Sequence, residues 1–334
     1  MLDTVLEIID LKTCFNTRDG MVTAVDGVSL SLERGMCLGV VGESGSGKSV
    51  TFASVMGLIR KPGFIAEGSI VFDGQELVGL GDNDYRTLRG KKIAMTMQDA
   101  LTALNPAYTV SNQIIEVLLA HDESLTGTKR VRKRQARERA VEMMRLVGIP
   151  SAETRLDDYP HQFSGGMRQR IMIAIALACQ PTLLIADEPT TALDVTIQAQ
   201  VLELIGDIRE KLGMSVVLIT HDLGVVAEYC DRIAVMYAGQ VVESGPTWDV
   251  IENPQHPYTQ GLLGSIPRIS DLSQRIHPIR GTVPNLIELP PQCRFLERCP
   301  KARAKCRSVI AMHDIGADRQ VRCVLPGKPD KPDD

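Results

Sequence analysis

The 334-residue sequence contains no apolar stretch long enough to cross a bilayer. Its longest uninterrupted run, Ile171–Cys179, is about half of what a spanning helix requires. A strong charge bias is also missing. The net charge of −4 gives no global attraction to nucleic acid or to a membrane surface. Aromatic residues are sparse, at 4%, so the core has to come largely from aliphatic side chains within an apolar content of 44%. The opening Met1-Leu-Asp-Thr-Val-Leu-Glu7 has neither a basic leader nor an apolar segment. A signal peptide is therefore not expected, and a soluble cytoplasmic chain is. There is no internal repeat, and the length suggests one large domain with a smaller one, or two modest domains.

Residues 5–11 and 22–33 alternate apolar and polar, as antiparallel strands with one wet face do. A short apolar strand, Cys37–Val41, runs into Gly42-Glu-Ser-Gly-Ser-Gly-Lys-Ser49, and residues 50–60 read as a helix. Residues 69–73 and 92–98 read as strands, and residues 100–165 as helices with a charge-rich stretch at 121–142. Strand patterns return at 183–188, 215–220 and 232–242, separated by helices at 194–212 and 223–229. Strands alternating with helices predict a largely parallel sheet covered on both faces, with the helical block inserted into an α/β core. After His256-Pro-Tyr258 the chain is Pro-rich up to a small cysteine-bearing extension, and the last residues, from Pro326, form a charged tail expected to be disordered. The expected domains are 1–255, with an insertion at about 100–165, and 256–334.

Gly42-x-x-x-x-Gly47-Lys48-Ser49 between a strand and a helix matches the phosphate-binding loop in spacing and context. Backbone N–H groups of Gly42, Glu43, Ser44, Gly45, Ser46, Gly47 and on through Val50 can turn toward phosphates, aided by the helix dipole. Lys48 would reach the β- and γ-phosphates and Ser49 would ligate Mg²⁺. Leu183-Leu-Ile-Ala-Asp187-Glu188 is an apolar strand delivering two carboxylates to the sheet's C-terminal edge, where open α/β sheets bind ligands. Asp187 is the candidate metal holder and Glu188 the candidate general base. Phe163-Ser-Gly-Gly-Met-Arg-Gln-Arg170 opens a helix with a Ser-Gly-Gly turn, a surface shaped for a second nucleotide.

Together these motifs resemble the ATP-binding subunit of an ABC transporter. Gly42–Ser49 resembles the family's Walker A motif, Leu183–Glu188 its Walker B, and Phe163–Met167 its signature motif, with Met167 where Gln is usual. Gln98 corresponds to the Q-loop glutamine, Ala192-Leu-Asp194 to the D-loop and His221 to the switch histidine. The resemblance implies a P-loop α/β fold with an antiparallel β subdomain, and a head-to-tail pair of ATPase subunits. Ser164, Gly165 and Gly166 would grip the partner's γ-phosphate, with Asp194 beside that composite site. Gln98 joins Ser49 and Asp187 around Mg²⁺, and His221 contacts the γ-phosphate. Phe15 is either an adenine-stacking platform or ordinary core. Ala103–Val110 resembles the segment by which importers dock on their membrane partner. The basic run Lys129–Arg139 reads as a solvated helix face, or alternatively as a contact for anionic headgroups.

Cys293, Cys299, Cys306 and Cys323 cluster near the C-terminus, with spacings too open for the usual paired zinc pattern. By chemistry alone they suit an iron–sulfur cluster, Zn²⁺ or nothing. Gln255–Thr259, Ser265-Ile-Pro267, Gly281–Pro284 and Cys293–Pro300 resemble the C-terminal region of oligopeptide and dipeptide transporter ATPases, which favours a [4Fe–4S] cluster. The implied function is ATP hydrolysis powering uptake of di- or oligopeptides at the cytoplasmic face of the inner membrane. The implied partners are a second, paralogous ATPase, two transmembrane permeases and a periplasmic solute-binding protein, with no nucleic acid. Alternatives are a soluble ABC ATPase acting on DNA or the ribosome, and an importer of nickel, glutathione, opine or oligosaccharide. A small-molecule kinase using the same loop has no purpose for the signature and D-loop motifs.

Overall fold

A computed structural model describes residues 3–190, 194–265 and 278–324. Ala192 and Leu193 of the D-loop, Ile266 and Pro267, and the tail from Pro326 lie outside the described residues. In chain order the strands are β1 (Thr4–Thr17), β2 (Gly20–Glu33), β3 (Cys37–Val41), β4 (Gly63–Phe72), β5 (Gln75–Glu76) and β6 (Ile93–Thr96). They continue as β7 (Leu183–Asp187), β8 (Ser215–Thr220), β9 (Arg232–Tyr237), β10 (Gln240–Pro246), β11 (His313–Gly316) and β12 (Arg319–Val321). The chain folds as two compact units. One comprises Met1–Leu32, Met36–Val78 and Thr220–Asp334, the other Glu33–Gly35 and Gly79–Ile219.

In the first unit, β1 pairs antiparallel with β4, from Leu6 opposite Phe72 to Phe15 opposite Gly63. The sheet order β2-β1-β4-β5 is the antiparallel subdomain that the alternating pattern predicts. Val5, Leu6, Ile8, Leu11 and Cys14 are the buried apolar residues of β1. A slip in register between Ile9 and Thr13 explains why its apolar alternation is imperfect. The helix expected at 50–60 is shorter, Lys48–Val55. Beyond it the chain turns at Gly57, and β4 begins at Gly63, earlier than expected.

β3 runs parallel to β9, Leu38 opposite Arg232. The single strand expected at 232–242 is instead the hairpin β9–β10. Ala238 (φ 47°) and Gly239 (φ 84°) form its two-residue turn, both left-handed, which is the twist a tight hairpin needs. β10 then pairs antiparallel with β12, and β12 with β11, so the cysteine-bearing segment extends this sheet. Tyr237, Tyr258 and Phe295 pack as an aromatic cluster with ring centroids 4.6, 5.1 and 5.4 Å apart. Each such pair is worth roughly 0.5–1.5 kcal/mol beyond its area burial. In a chain so short of aromatics, this cluster marks where the C-terminal segment is anchored.

In the second unit, β6, β7 and β8 are parallel, with Ile93 opposite Leu183 and Asp187 opposite Ile219. Every residue of β7 and β8 is buried, the pattern of strands covered on both faces. The helical block carries Val110–His121 and Lys129–Leu146, capped by the Thr109 and Thr128 hydroxyls. Such caps contribute about 1 kcal/mol each. The basic helix buries Ala136, Ala140 and Met144. On its other side Arg137 pairs with Asp157, Arg139 with Asp122 and Arg145 with Glu153. Part of its positive charge is thus neutralised within the unit. None of the described helices is long and apolar enough to cross a membrane.

Candidate nucleotide-binding site

The first unit supplies the phosphate loop. β3 is buried throughout and its end passes directly into Gly42. Gly47 takes φ 97°, and a Cβ there would lie 2.5 Å from the Ala24 carbonyl, so no other residue fits. At Gly42 an added Cβ would stand 2.1 Å from the Met236 carbonyl, which fixes the loop's entry. The Lys48 ammonium, 6% exposed, donates to the Gly42 carbonyl at 2.7 Å and the Glu43 carbonyl at 3.0 Å. It also reaches Ser46 Oγ at 3.4 Å. Ser46 is buried, Val50 is half-buried, and Ser44, Gly45 and Ser49 are exposed. Phe15 is half-buried on β1 opposite Gly63, and its ring occupies the space a Cβ of Gly63 would need. His221, after β8, is exposed.

The second unit carries the acidic groups. Asp187, buried at 8% exposure, ends β7. Glu188 follows with φ 44°, a conformation that non-glycine residues rarely adopt. Its backbone N–H donates to the Ile219 carbonyl at 2.9 Å, and its carboxylate accepts from the Gln98 amide at 2.8 Å. Thus β6 and β7 deliver Gln98 and Glu188 to one point. Ser164 is the N-cap of helix Gly165–Leu177, its Oγ accepting from Met167 N–H at 3.3 Å. Ser164 and Gly165 are exposed, and a Cβ on Gly166 would lie 2.6 Å from Ile197 Cγ2. Met167 Sδ accepts from Arg155, whose guanidinium lies over the Phe163 ring. Asp194 caps helix Val195–Leu212 by accepting from Ile197 N–H at 3.0 Å. An alcohol on Ser49 and a carboxylate on Asp187 are hard oxygen donors, the chemistry Mg²⁺ requires.

All eight cysteines are thiols, not disulfides. Cys293, Cys299, Cys306 and Cys323 share one neighbourhood. Burial, then the charge of neighbouring sulfurs, pushes the Cys293 thiol up, and Cys299 is pushed up to about 11. Among the described residues, however, no group of three or more Cys, His, Asp or Glu side chains closes into a metal-holding set.

Sequence reading missed the groups around Glu43. The Arg298 guanidinium donates to both Glu43 carboxylate oxygens, at 2.6 and 2.9 Å, and the Tyr258 hydroxyl accepts from Glu43 N–H at 2.9 Å. The only trace in the sequence is that Tyr258 and Arg298 lie within the quoted C-terminal motifs.

With this arrangement in place, comparison with known proteins is decisive. Residues 25–191 match the ABC transporter family, and residues 242–306 match the oligopeptide/dipeptide transporter C-terminal region. The chain belongs to the ABC transporter family, as an ATP-binding, Mg²⁺-dependent ATPase subunit. It is 50% identical over 328 residues to the oligopeptide transport ATP-binding protein AppD of Bacillus subtilis, covering 97% of each chain. It is 50% identical to the dipeptide transport ATP-binding protein DppD of the same organism, covering 97% of this chain and 95% of the relative. With OppD of Salmonella typhimurium, an oligopeptide transport ATP-binding protein, the identity is 45% over 97% of this chain and 94% of the relative. The solved dimeric bacterial ABC transporter cassette MJ0796 is 26% identical with a TM-score of 0.63, covering 72% of this chain and 98% of that one.

Proposed function

We propose that this chain is the ATP-hydrolysing subunit of a binding-protein-dependent importer of di- or oligopeptides, working at the cytoplasmic face of the inner membrane. What carries the reading is that the ATPase match and the peptide-transporter C-terminal match occur on one chain, aligned nearly end to end with relatives of that name. Its partners would be a paralogous ATPase subunit, two permease subunits and a periplasmic binding protein.

In this reading the loop Gly42–Val50 wraps the phosphates with backbone N–H groups, and Lys48 leaves its carbonyls to meet the β- and γ-phosphates. Ser49 and Asp187, with Gln98, would hold Mg²⁺, which neutralises charge on the transferred phosphoryl group. Glu188 accepts a proton from water while the water oxygen bonds to the γ-phosphorus and the bond to the bridging oxygen of ADP breaks. Gln98, bonded to Glu188, orients that carboxylate, and His221 contacts the γ-phosphate. Ser164, Gly165 and Gly166 present a helix N-terminus to the partner's nucleotide, with Asp194 alongside, and Phe15 faces the adenine. The γ-phosphate favours the closed pair, and hydrolysis removes that preference.

The test is reconstitution with the permeases and binding protein in liposomes. ATPase activity should rise severalfold with peptide-loaded binding protein and not with nucleic acid. Stimulation by DNA or ribosomes instead would overturn the reading.

A further inference from the structure

The C-terminal segment reaches Glu43 of the phosphate loop through the Tyr258 hydroxyl and the Arg298 guanidinium. Arg298 ends the short turn Leu296–Arg298, and its side chain is 6% exposed, while that of Glu43 is 30% exposed. Besides its two bonds to Glu43, it donates to the Tyr237 hydroxyl at 3.3 Å and to the Arg280 carbonyl at 2.9 Å. Its guanidinium also lies within 5.6 and 5.9 Å of the Tyr237 and Phe295 ring centroids. Glu43 is the first variable residue of the loop and is held at three places. Its N–H goes to Tyr258, its carbonyl accepts from Lys48, and its carboxylate is taken by Arg298.

A carboxylate here is awkward, because the loop's task is to receive a polyanion and like charges repel over several ångströms. The planar guanidinium cancels that charge with bidentate geometry in a largely water-excluded place, where such pairs are strong. We propose that Arg298 is a positioning residue for the nucleotide site: by pairing with Glu43 it neutralises the loop's own carboxylate and fixes the loop's first turn. The ATP affinity of this subunit thereby depends on its C-terminal extension. This rests on the reading that Lys48 and its loop bind the phosphates.

A clamp that served only to hold the fold would respond to loss of either partner alike. A charge-cancelling residue would not, and that asymmetry is the test. In the full-length chain, Mg-ATP affinity is measured by titration under non-hydrolysing conditions, with the thermal midpoint of each variant recorded. Arg298→Ala strands an unpaired carboxylate and should weaken ATP about tenfold. Glu43→Gln should cost only about twofold to threefold, the smaller price of a lost hydrogen bond. The double variant should bind ATP more tightly than Arg298→Ala alone, and the Arg298→Ala defect should shrink as ionic strength rises. Arg298→Lys should lie between Arg298→Ala and the unaltered chain. If Arg298→Ala does not fold, Arg298→Lys with and without Glu43→Gln makes the same comparison.

Unaltered ATP affinity on loss of Arg298, or no rescue by Glu43→Gln, overturns the inference. Lys48→Ala separates it from the reading beneath: if that variant binds ATP normally, the assignment of the loop itself fails. If Lys48→Ala loses ATP while Arg298→Ala keeps it, only the role of Arg298 fails.

Discussion

The Gln98 side-chain amide donates to the Glu188 carboxylate at 2.8 Å, joining residues 90 positions apart in the chain. The bond orients the carboxylate proposed to take a proton from water. Glu188→Gln keeps the size and a hydrogen-bonding partner for Gln98 but removes the base. Hydrolysis should fall at least about a hundredfold, while ATP affinity stays within about threefold by equilibrium titration. Gln98→Ala, which frees the carboxylate without removing it, should lower kcat by about tenfold. Full turnover by Glu188→Gln would rule out its role as base.

Ser164 is exposed, and its hydroxyl caps the helix that starts at Gly165. Loss of the cap alone, as in Ser164→Ala, should cost about 1 kcal/mol of stability. Ser164→Arg adds a bulky side chain at the surface proposed to meet the partner's nucleotide. In the assembled importer it should abolish turnover at the composite site whose lysine and serine come from the partner. ATP binding at Lys48 in the isolated chain should stay within about twofold, since the Ser164 hydroxyl bonds Met167 N–H rather than the Gly42–Ser49 loop. Equal damage to both sites, followed with a nucleotide cross-linked at each, would refute the head-to-tail assignment.

Much of the site was legible because its chemistry is local. The loop from Gly42 to Ser49 needs glycines at fixed offsets, and the apolar strand Leu183–Asp187 must end in its carboxylates, so both leave unmistakable strings. The antiparallel subdomain was readable for the same reason, since a half-wet strand alternates with period two. The β9–β10 hairpin was not. Its turn residues, Ala238 and Gly239, carry no Asn-Gly or Asp-Gly signature, and both strands are almost wholly buried, so they read as one run. Nor was the contact of Arg298 with Glu43, which spans 255 positions. No periodicity encodes a pair so distant. The four clustered cysteines suggested a metal because of their crowding in sequence, and whether they hold one depends on side-chain directions, which spacing does not specify.

Glu243 shows a similar hidden dependence. It is fully buried at 0% exposure and accepts from Gln255 N–H at 2.8 Å, His256 N–H at 2.9 Å and the Arg319 guanidinium at 3.0 Å. It therefore ties β10 to the start of the C-terminal segment and to β12. Arg319→Met would leave a buried carboxylate without its counter-charge, costing about 3–5 kcal/mol. Glu243→Gln should be comparably harmful, since it strands the arginine. Denaturant unfolding of the full chain should show early loss of tyrosine signals from the Tyr237–Tyr258 cluster. A change below about 1 kcal/mol in both variants would mean that water reaches this pair.

The acid limit of stability should be set in part by His256. It is 2% exposed, and its Nδ1 accepts from Tyr258 N–H at 3.0 Å, a bond available only to a ring unprotonated at that nitrogen. Burial first, then the charge of Arg322, pushes its pKa down from 6.5 to about 3. The folded value lies below the unfolded one, so between them the unfolded chain binds the extra proton and stability rises with pH. The contribution is complete above about pH 6.5 and is lost progressively as pH falls toward 3. His256→Asn keeps a short capping acceptor but does not titrate. It should lower stability at neutral pH yet flatten the decline of the thermal midpoint between pH 6.5 and 4, by about 1.4 kcal/mol for each pH unit removed. Parallel midpoint curves for the two proteins would exclude His256 as the titrating group.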